Sequence, residues 1–248
     1  MENMRLLDLF CGRWGWSRAF AARGGWTCVG IDFVDQRERM PEQCEFWEAD
    51  ILNVSVKGNY FNIVGCTRMP KEISYADAAS IWVEISRFDF IVASPPCEEF
   101  SVHGMKCFHK NPKYPEMGIK LFNHTRQLCE ESGLPYILEN VRVAQKFVGD
   151  ATHHTGPFYL WGNSVPPFLP RVRNKVGRFH GMPGSLMERE MRAGKTRSQT
   201  RNDYQREVRR LAGSDKGCAS FAAEIPEELS DKIADYAERL LERKVFSF

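Results

Sequence analysis

The stretch from Arg5 to Asp32 constrains the fold more than any other part of the chain. Arg5-Leu-Leu-Asp-Leu-Phe10 is a short apolar run that ends in Cys-Gly, and it reads as a buried strand. Ser17 is placed to cap a helix over residues 18–23, which Gly24-Gly25 stops. Trp26-Thr-Cys-Val-Gly-Ile-Asp32 is the next strand. The result is a β-α-β unit with a glycine at its first turn and an acid at the tip of its second strand. Asp32 follows Gly12 by 20 residues. In nucleotide-binding α/β sheets, an acid at that distance accepts hydrogen bonds from a ribose.

The same rhythm continues. Residues 45–50 predict a third strand with Asp50 at its tip, 76–85 have helical apolar spacing, and 88–93 predict a strand. Residues 117–131 predict a helix closed by Gly133, and 136–140 another strand. Alternating strands and helices imply an α/β fold, a mostly parallel sheet covered on both faces. Ligands collect at the carboxyl ends of such strands, where Gly12, Asp32, Asp50, Cys97 and Glu139 fall. From about residue 143 to 219 the periodicity weakens and Pro, Gly and Arg become frequent. The expected organisation is a catalytic domain of residues 1–142 and 220–248, with a small loop-rich basic lobe of residues 143–219 that recognises the target. A final helix starts at Pro226, with Leu229, Ile233, Tyr236 and Leu240 as its apolar stripe.

Charge separates the two parts. The net charge of +2 hides a basic segment: residues 171–216 hold 13 Lys/Arg and 5 Asp/Glu, leaving 21 and 27 for the rest. Ten of the 13 are Arg, the side chain suited to forked phosphate and base contacts. This balance points to a polyanion partner. No apolar run has membrane-spanning length, and the N-terminus has no secretion-signal pattern, so a cytoplasmic protein is expected. The eight cysteines are dispersed without a C-x-x-C pair and read as reduced thiols. His103, Cys107 and His109 lack a second ligand pair at zinc spacing, so no metal site is assigned.

In Asp89-Phe-Ile-Val-Ala-Ser-Pro-Pro-Cys97 an apolar strand runs into two prolines and presents a thiol. Pro95 and Pro96 fix two φ angles and limit how far the sulfur can wander. Three pieces, "LLDLFCGRWGWS" (6–17), "SPPCEEFS" (94–101) and "YILENV" (136–141), together resemble the DNA cytosine-5 methyltransferases in a compact, phage-like form. The resemblance covers residues 5–141 and the last helix. It implies a Rossmann-like, doubly wound sheet of the class I S-adenosylmethionine-dependent methyltransferases. It also implies that Asp8, Phe10, Gly12, Arg13, Trp14, Gly15, Asp32, Asp50 and Pro95 bind the cofactor, S-adenosyl-L-methionine.

For the chemistry, carbon 5 of cytosine is a poor nucleophile. A thiolate from Cys97 adding at carbon 6 turns carbon 5 into an enamine-like one, and a modest lowering of the thiol pKa suffices. The resemblance implies that Glu139 shares a proton with the ring's N3. Pro96 stiffens the loop and Asn140 orients it. The Pro-Pro-Cys thiol, where amino-methylating relatives carry an aromatic residue, suits covalent attack on a pyrimidine. Such a ring is reached only when flipped out of double-stranded DNA or in a single strand.

The chain also departs from the family pattern. Trp14 stands where a glycine is usual, preceded by Arg13. Either the indole packs outward and the ordinary donor binds, or the pocket takes a carboxylated S-adenosylmethionine that Arg13 matches in charge. No Gln-x-Arg-x-Arg strand follows Glu139, so Arg171 and Arg173 stand as candidates for base or phosphate contacts. "GNSVPP" (162–167) copies a family signature but precedes the basic segment, and it receives no cofactor role. DNA contacts are expected from Ser101, Arg189, Arg192, Lys195, Arg197, Arg201 and Arg206. The alternatives are an RNA substrate for the same chemistry and a catalytically silent DNA-binding partner protein. A monomer is expected.

Overall fold

The computed structural model describes residues 3–67, 80–104, 111, 113–169, 172 and 225–245. The chain divides into two compact units, residues 1–170 with 225–248, and residues 171–224. Nearly all of the second unit lies outside the described residues, and with it Arg171, Arg173, Arg189, Arg192, Lys195, Arg197, Arg201 and Arg206.

The first unit is built on a seven-stranded sheet. Its strands are β1 (Met4–Leu9), β2 (Trp26–Asp32), β3 (Cys44–Glu48), β7 (Phe90–Ala93), β8 (Tyr136–Asn140), β9 (His153–Thr155) and β10 (Phe158–Trp161). Their order is β3-β2-β1-β7-β8-β10-β9. The first five are parallel, while β10 runs antiparallel to β8 and to β9. The chain builds outward from β1 to β3 on one side, then starts again at β7 on the other. The reversal between β1 and β7 is the switch point at which doubly wound sheets hold ligands. The mostly parallel, helix-covered sheet is the α/β architecture that the alternating pattern predicts.

Both faces of the parallel strands are buried, which is why they read as nearly continuous apolar runs. On one face Leu7, Leu9, Val29, Ile31, Ile91 and Leu138 share a core with Phe122 and Leu128 of α3 (Glu116–Ser132). A small antiparallel sheet, β4 (Val54–Lys57), β5 (Tyr60–Val64) and β6 (Ser80–Glu84), adds Phe61, Ile63, Ile81 and Val83 to that core. On the other face α1 (Ser17–Ala22) packs Phe20 edge-on to Trp26 and beside Phe90. The shorter helices are α2 (Glu98–Gly104) and α4 (Gln145–Val148), and α5 (Glu227–Val245) packs on α1.

Several expectations change. Helical spacing over 76–85 does not hold for its described part: 80–84 is strand β6, with Ile81 and Val83 inward and Trp82 and Glu84 exposed. That alternation of period two decides it. Ser17 does not cap α1; it lies inside the helix and its hydroxyl donates to Asp8 Oδ2 at 2.6 Å. Residues 143–170 belong to the sheet unit, because β10 pairs with β8, so the boundary expected after 142 moves to about 170. β9 lies at the edge with β10 inside it, and at three and four residues both are too short to carry a clear period. α5 turns Leu229, Ile233, Ala234 and Ala237 inward and leaves Tyr236 and Leu240 half-buried. Arg23, at the end of α1, sets that rotation by ion pairs to Asp231, Asp235 and Glu238 at 2.7–2.9 Å.

Candidate active site

Two loops meet at the switch point. The loop after β1 turns back sharply: Phe10, Gly12 and Trp14 have φ of 61°, 47° and 63°. Alternate residues in the left-handed region aim successive backbone N–H groups toward one side, an arrangement suited to an electron-rich ligand. Asp32 holds this turn, accepting from Gly12 N–H and Val34 N–H, both at 3.0 Å. Its carboxyl is raised above the usual range by burial. Asp32 therefore clamps the glycine turn, a role the spacing alone did not indicate. Asp50, expected beside it, is exposed at the end of β3 and caps the turn over residues 51–53 by accepting from Leu52 N–H at 3.0 Å.

Two of the expected cofactor contacts, Asp8 and Trp14, present no accessible surface. Asp8 is 0% exposed and offers no surface to a ligand. Burial pushes its carboxyl up to about 7. Trp14 is likewise 0% exposed; its indole lies over Gly30, meets Phe46 edge-on, and donates Nε1–H to Gln36 O at 2.8 Å. It packs into the core of the α1 face, neither outward nor into a pocket. Gly15 makes room for the chain itself, since a Cβ there would stand 3.0 Å from Ile225. Phe10, Gly12 and Arg13 stay partly accessible along the turn. Phe33 and Val34, to which the sequence motifs assign no role, follow Asp32 directly, and Phe33 is 67% exposed. Apolar residues just past an acid at a strand tip were the available signal.

The second loop, after β7, carries Pro95, Pro96 and Cys97. The parallel register Ala93↔Leu138 sets its position. One residue further along each strand, Ser94 Oγ donates to Glu139 Oε2 at 3.2 Å. One further again, Asn140 Nδ2 donates to Pro95 O at 2.9 Å. Asn140 also accepts from Val141 N–H at 2.9 Å, which fixes its amide orientation. Pro95 is buried, while Pro96 and Cys97 are half-buried. Cys97 O accepts from Ser101 N–H at 2.8 Å, so the thiol sits at the entry to α2 with the Ser101 hydroxyl bonded to it.

The electrostatics are those of an acid–thiol pair. Burial pushes Glu139, 8% exposed, up to about 8. Burial, then the Glu139 and Glu98 carboxylates, push the Cys97 thiol up to about 12 against the opposing Ser101 bond. The modest lowering that would suffice for this thiol is absent, because burial, and then the two acids facing it, raise it. Neutralising Glu139 removes one of those charges, so protonation of the acid eases ionisation of the thiol. Trp16, 2% exposed and given no role by the sequence motifs, crosses the switch point and donates Nε1–H to Ser94 Oγ at 2.9 Å.

A family model described as C-5 cytosine-specific DNA methylase matches residues 4–153. The chain belongs to that family. A search of curated proteins finds no match. The matched span runs from β1 to the start of β9 and includes both loops of the switch point and Glu139. The chain is therefore a DNA cytosine-5 methyltransferase. C5 DNA methylases use S-adenosylmethionine as donor.

Within this methylase, the Gly-Asn-Ser-Val copy is a structural clasp. Asn163 accepts from Tyr136 N–H at 2.8 Å and donates to Leu134 O at 3.1 Å. A Cβ at Gly162 would lie 2.2 Å from Tyr136 O, so only glycine fits. The clasp fixes the start of β8, the strand whose far end carries Glu139. Among the described residues no group of His, Cys, Asp and Glu is arranged to hold a metal ion. Among them, too, no helix is long and apolar enough to cross a membrane.

Proposed function

We propose that this methylase transfers a methyl group from S-adenosylmethionine to carbon 5 of a cytosine in DNA through a covalent bond between Cys97 and carbon 6. The observation that carries the reading is the β7–β8 register, which couples a half-buried thiol to a buried acid across one strand pair.

The residues at the switch point fit a nucleoside donor. A Cβ at Gly12 would meet only Phe10 O, at 3.7 Å, so the turn leaves backbone open to a ligand. Exposed Phe33 offers a flat apolar surface for a base, with Asp50 at the tip of the neighbouring strand. Phe10, Gly12, Arg13, Asp32 and Asp50 would hold the donor. S-adenosylmethionine supplies an electrophilic methyl group carried on a sulfonium. These observations favour no carboxylated donor.

The remaining work falls to the chain. Neutral Glu139 hydrogen-bonds N3 of the ring and withdraws electron density from carbon 6. The Cys97 sulfur, held by two prolines and by Asn140 at Pro95 O, adds there and makes carbon 5 nucleophilic. Once carbon 5 carries the methyl group, loss of its proton and departure of Cys97 restore the aromatic ring. The target cytosine is flipped out of the duplex, because carbon 6 is otherwise shielded by stacking. The Arg-rich stretch 189–210 supplies the phosphate contacts, with Arg171 and Arg173 at base or phosphate.

Intact-mass analysis with DNA carrying 5-fluorocytosine tests this. Carbon 5 then has no proton to lose, so the protein stays attached to DNA. An adduct is expected for the wild type and none for Cys97→Ser. A wild-type enzyme that binds DNA and donor without forming it refutes the covalent route.

A further inference from the structure

Trp16, Ser94 and Glu139 form an unbroken chain of hydrogen bonds: Trp16 Nε1 to Ser94 Oγ at 2.9 Å, and Ser94 Oγ to Glu139 Oε2 at 3.2 Å. The chain runs from the indole towards the carboxyl. An indole nitrogen is a donor only, while a serine hydroxyl has a single proton and two acceptor lone pairs. Trp16 N–H occupies one lone pair of the Ser94 oxygen, and the Ser94 hydroxyl donates its proton to Glu139 Oε2. With Oε2 accepting from Ser94, a neutral carboxyl carries its proton on Oε1. No described residue bonds Oε1.

Trp16 is held for this task from the far end of the chain. Its carbonyl accepts the buried Ser230 hydroxyl of α5, and α5 is pinned to α1 by the three acidic partners of Arg23. The indole itself is buried at the junction of the two loops.

We propose that Trp16 and Ser94 form a directional relay that places the acidic proton of Glu139 on Oε1, the oxygen left to meet the target base. This rests on the reading of Glu139 as the group that hydrogen-bonds the ring, and it makes Trp16 and Ser94 positioning residues for that contact. Among the described residues, the titratable groups facing Glu139 are the Cys97 thiol and, beyond it, Glu98. From β10 the residue opposite is Leu160, and the loop after β1 presents Trp16, neither of which titrates. The Ser94 bond favours the carboxylate and opposes the effect of burial.

Carbon-13 NMR of glutamate-labelled protein, free of DNA and donor, tests the relay, with the Glu139 signal assigned by Glu139→Gln. Ser94→Ala should move its titration midpoint alkaline by about one pH unit, the scale of one hydrogen bond to a charged group. Ser94→Thr should restore it. Trp16→Phe keeps an aromatic ring but removes the N–H that orients the Ser94 hydroxyl. Its midpoint should also move alkaline, and kcat should fall about tenfold with KM for DNA and donor unchanged. If Trp16→Phe fails to fold, the Ala and Thr variants at Ser94 still decide. Midpoints that stay at the wild-type value in Ser94→Ala overturn the relay. A shifted midpoint with undiminished methyl transfer instead overturns the role of Glu139 on which the relay rests.

Discussion

A Cβ added at Gly30 would lie 2.6 Å from two ring carbons of Trp14. The glycine in β2 and the tryptophan in the cofactor turn are therefore complementary. The bulky residue that breaks the family's glycine pattern is accommodated by the absence of a side chain on the neighbouring strand. Gly30→Ala should destabilise the fold by roughly 1–3 kcal/mol through overpacking. Trp14→Gly relieves a positive φ yet empties a buried indole site, so it should lose about 3–5 kcal/mol. Urea denaturation midpoints check both.

Asn140 acts on the catalytic loop through one bond to Pro95 O. Asn140→Ala releases that carbonyl and lets the sulfur drift. Because displacements of about 1 Å cost on the order of 10²-fold in rate, kcat should fall by about that factor while donor affinity holds. Steady-state kinetics beside equilibrium donor binding separates the two.

The pH dependence follows from Glu139 near 8 and Cys97 near 12. The reactive pair has a neutral acid and a thiolate, one proton fewer than the fully protonated pair. Its population rises with pH until the pair has lost that proton. kcat/KM should therefore climb about tenfold per pH unit below 8 and level off above it. In Glu139→Gln the levelling near 8 should vanish and the rate should drop about 10²–10⁴-fold. A pH profile that is flat from 6 to 8 in the wild type contradicts this assignment.

Asp8 should make the fold less stable as pH rises. Its folded pKa, near 7, lies above its ordinary 3.8, so the unfolded chain releases the proton first. The stabilisation is complete below about 4 and is lost as pH rises through about 7, on the order of 4 kcal/mol in all. Asp8→Asn should flatten that slope, as measured by urea unfolding between pH 4 and 8.

The Arg-rich segment predicts DNA affinity that falls steeply with salt. Arg197→Ala with Arg201→Ala should reduce the slope of log K against log salt by about 0.9 for each phosphate that is no longer neutralised. An unchanged slope removes these two residues from the phosphate interface.

Much of the sheet was legible in the chain itself. Strands β1, β2, β3, β7 and β8 are buried on both faces, so each appears as an apolar run, and tips such as Asp32, Cys97 and Glu139 follow from where those runs stop. Strand β6 misled because five residues are too few to separate period two from period 3.6 without neighbours. The 153–161 hairpin was invisible because strands of three and four residues are too short to show a period.

What the sequence determined was the identity of the reacting groups and the strand ends that carry them. What only the tertiary structure decided was which atoms meet. The β7–β8 register set Ser94 against Glu139, Gly30 received Trp14, and Ser230, more than two hundred residues downstream, came to hold Trp16. Local pattern reports how much of each side chain is buried. Hydrogen-bond direction and proton placement depend on partners that only strand order and helix docking bring within about 3 Å.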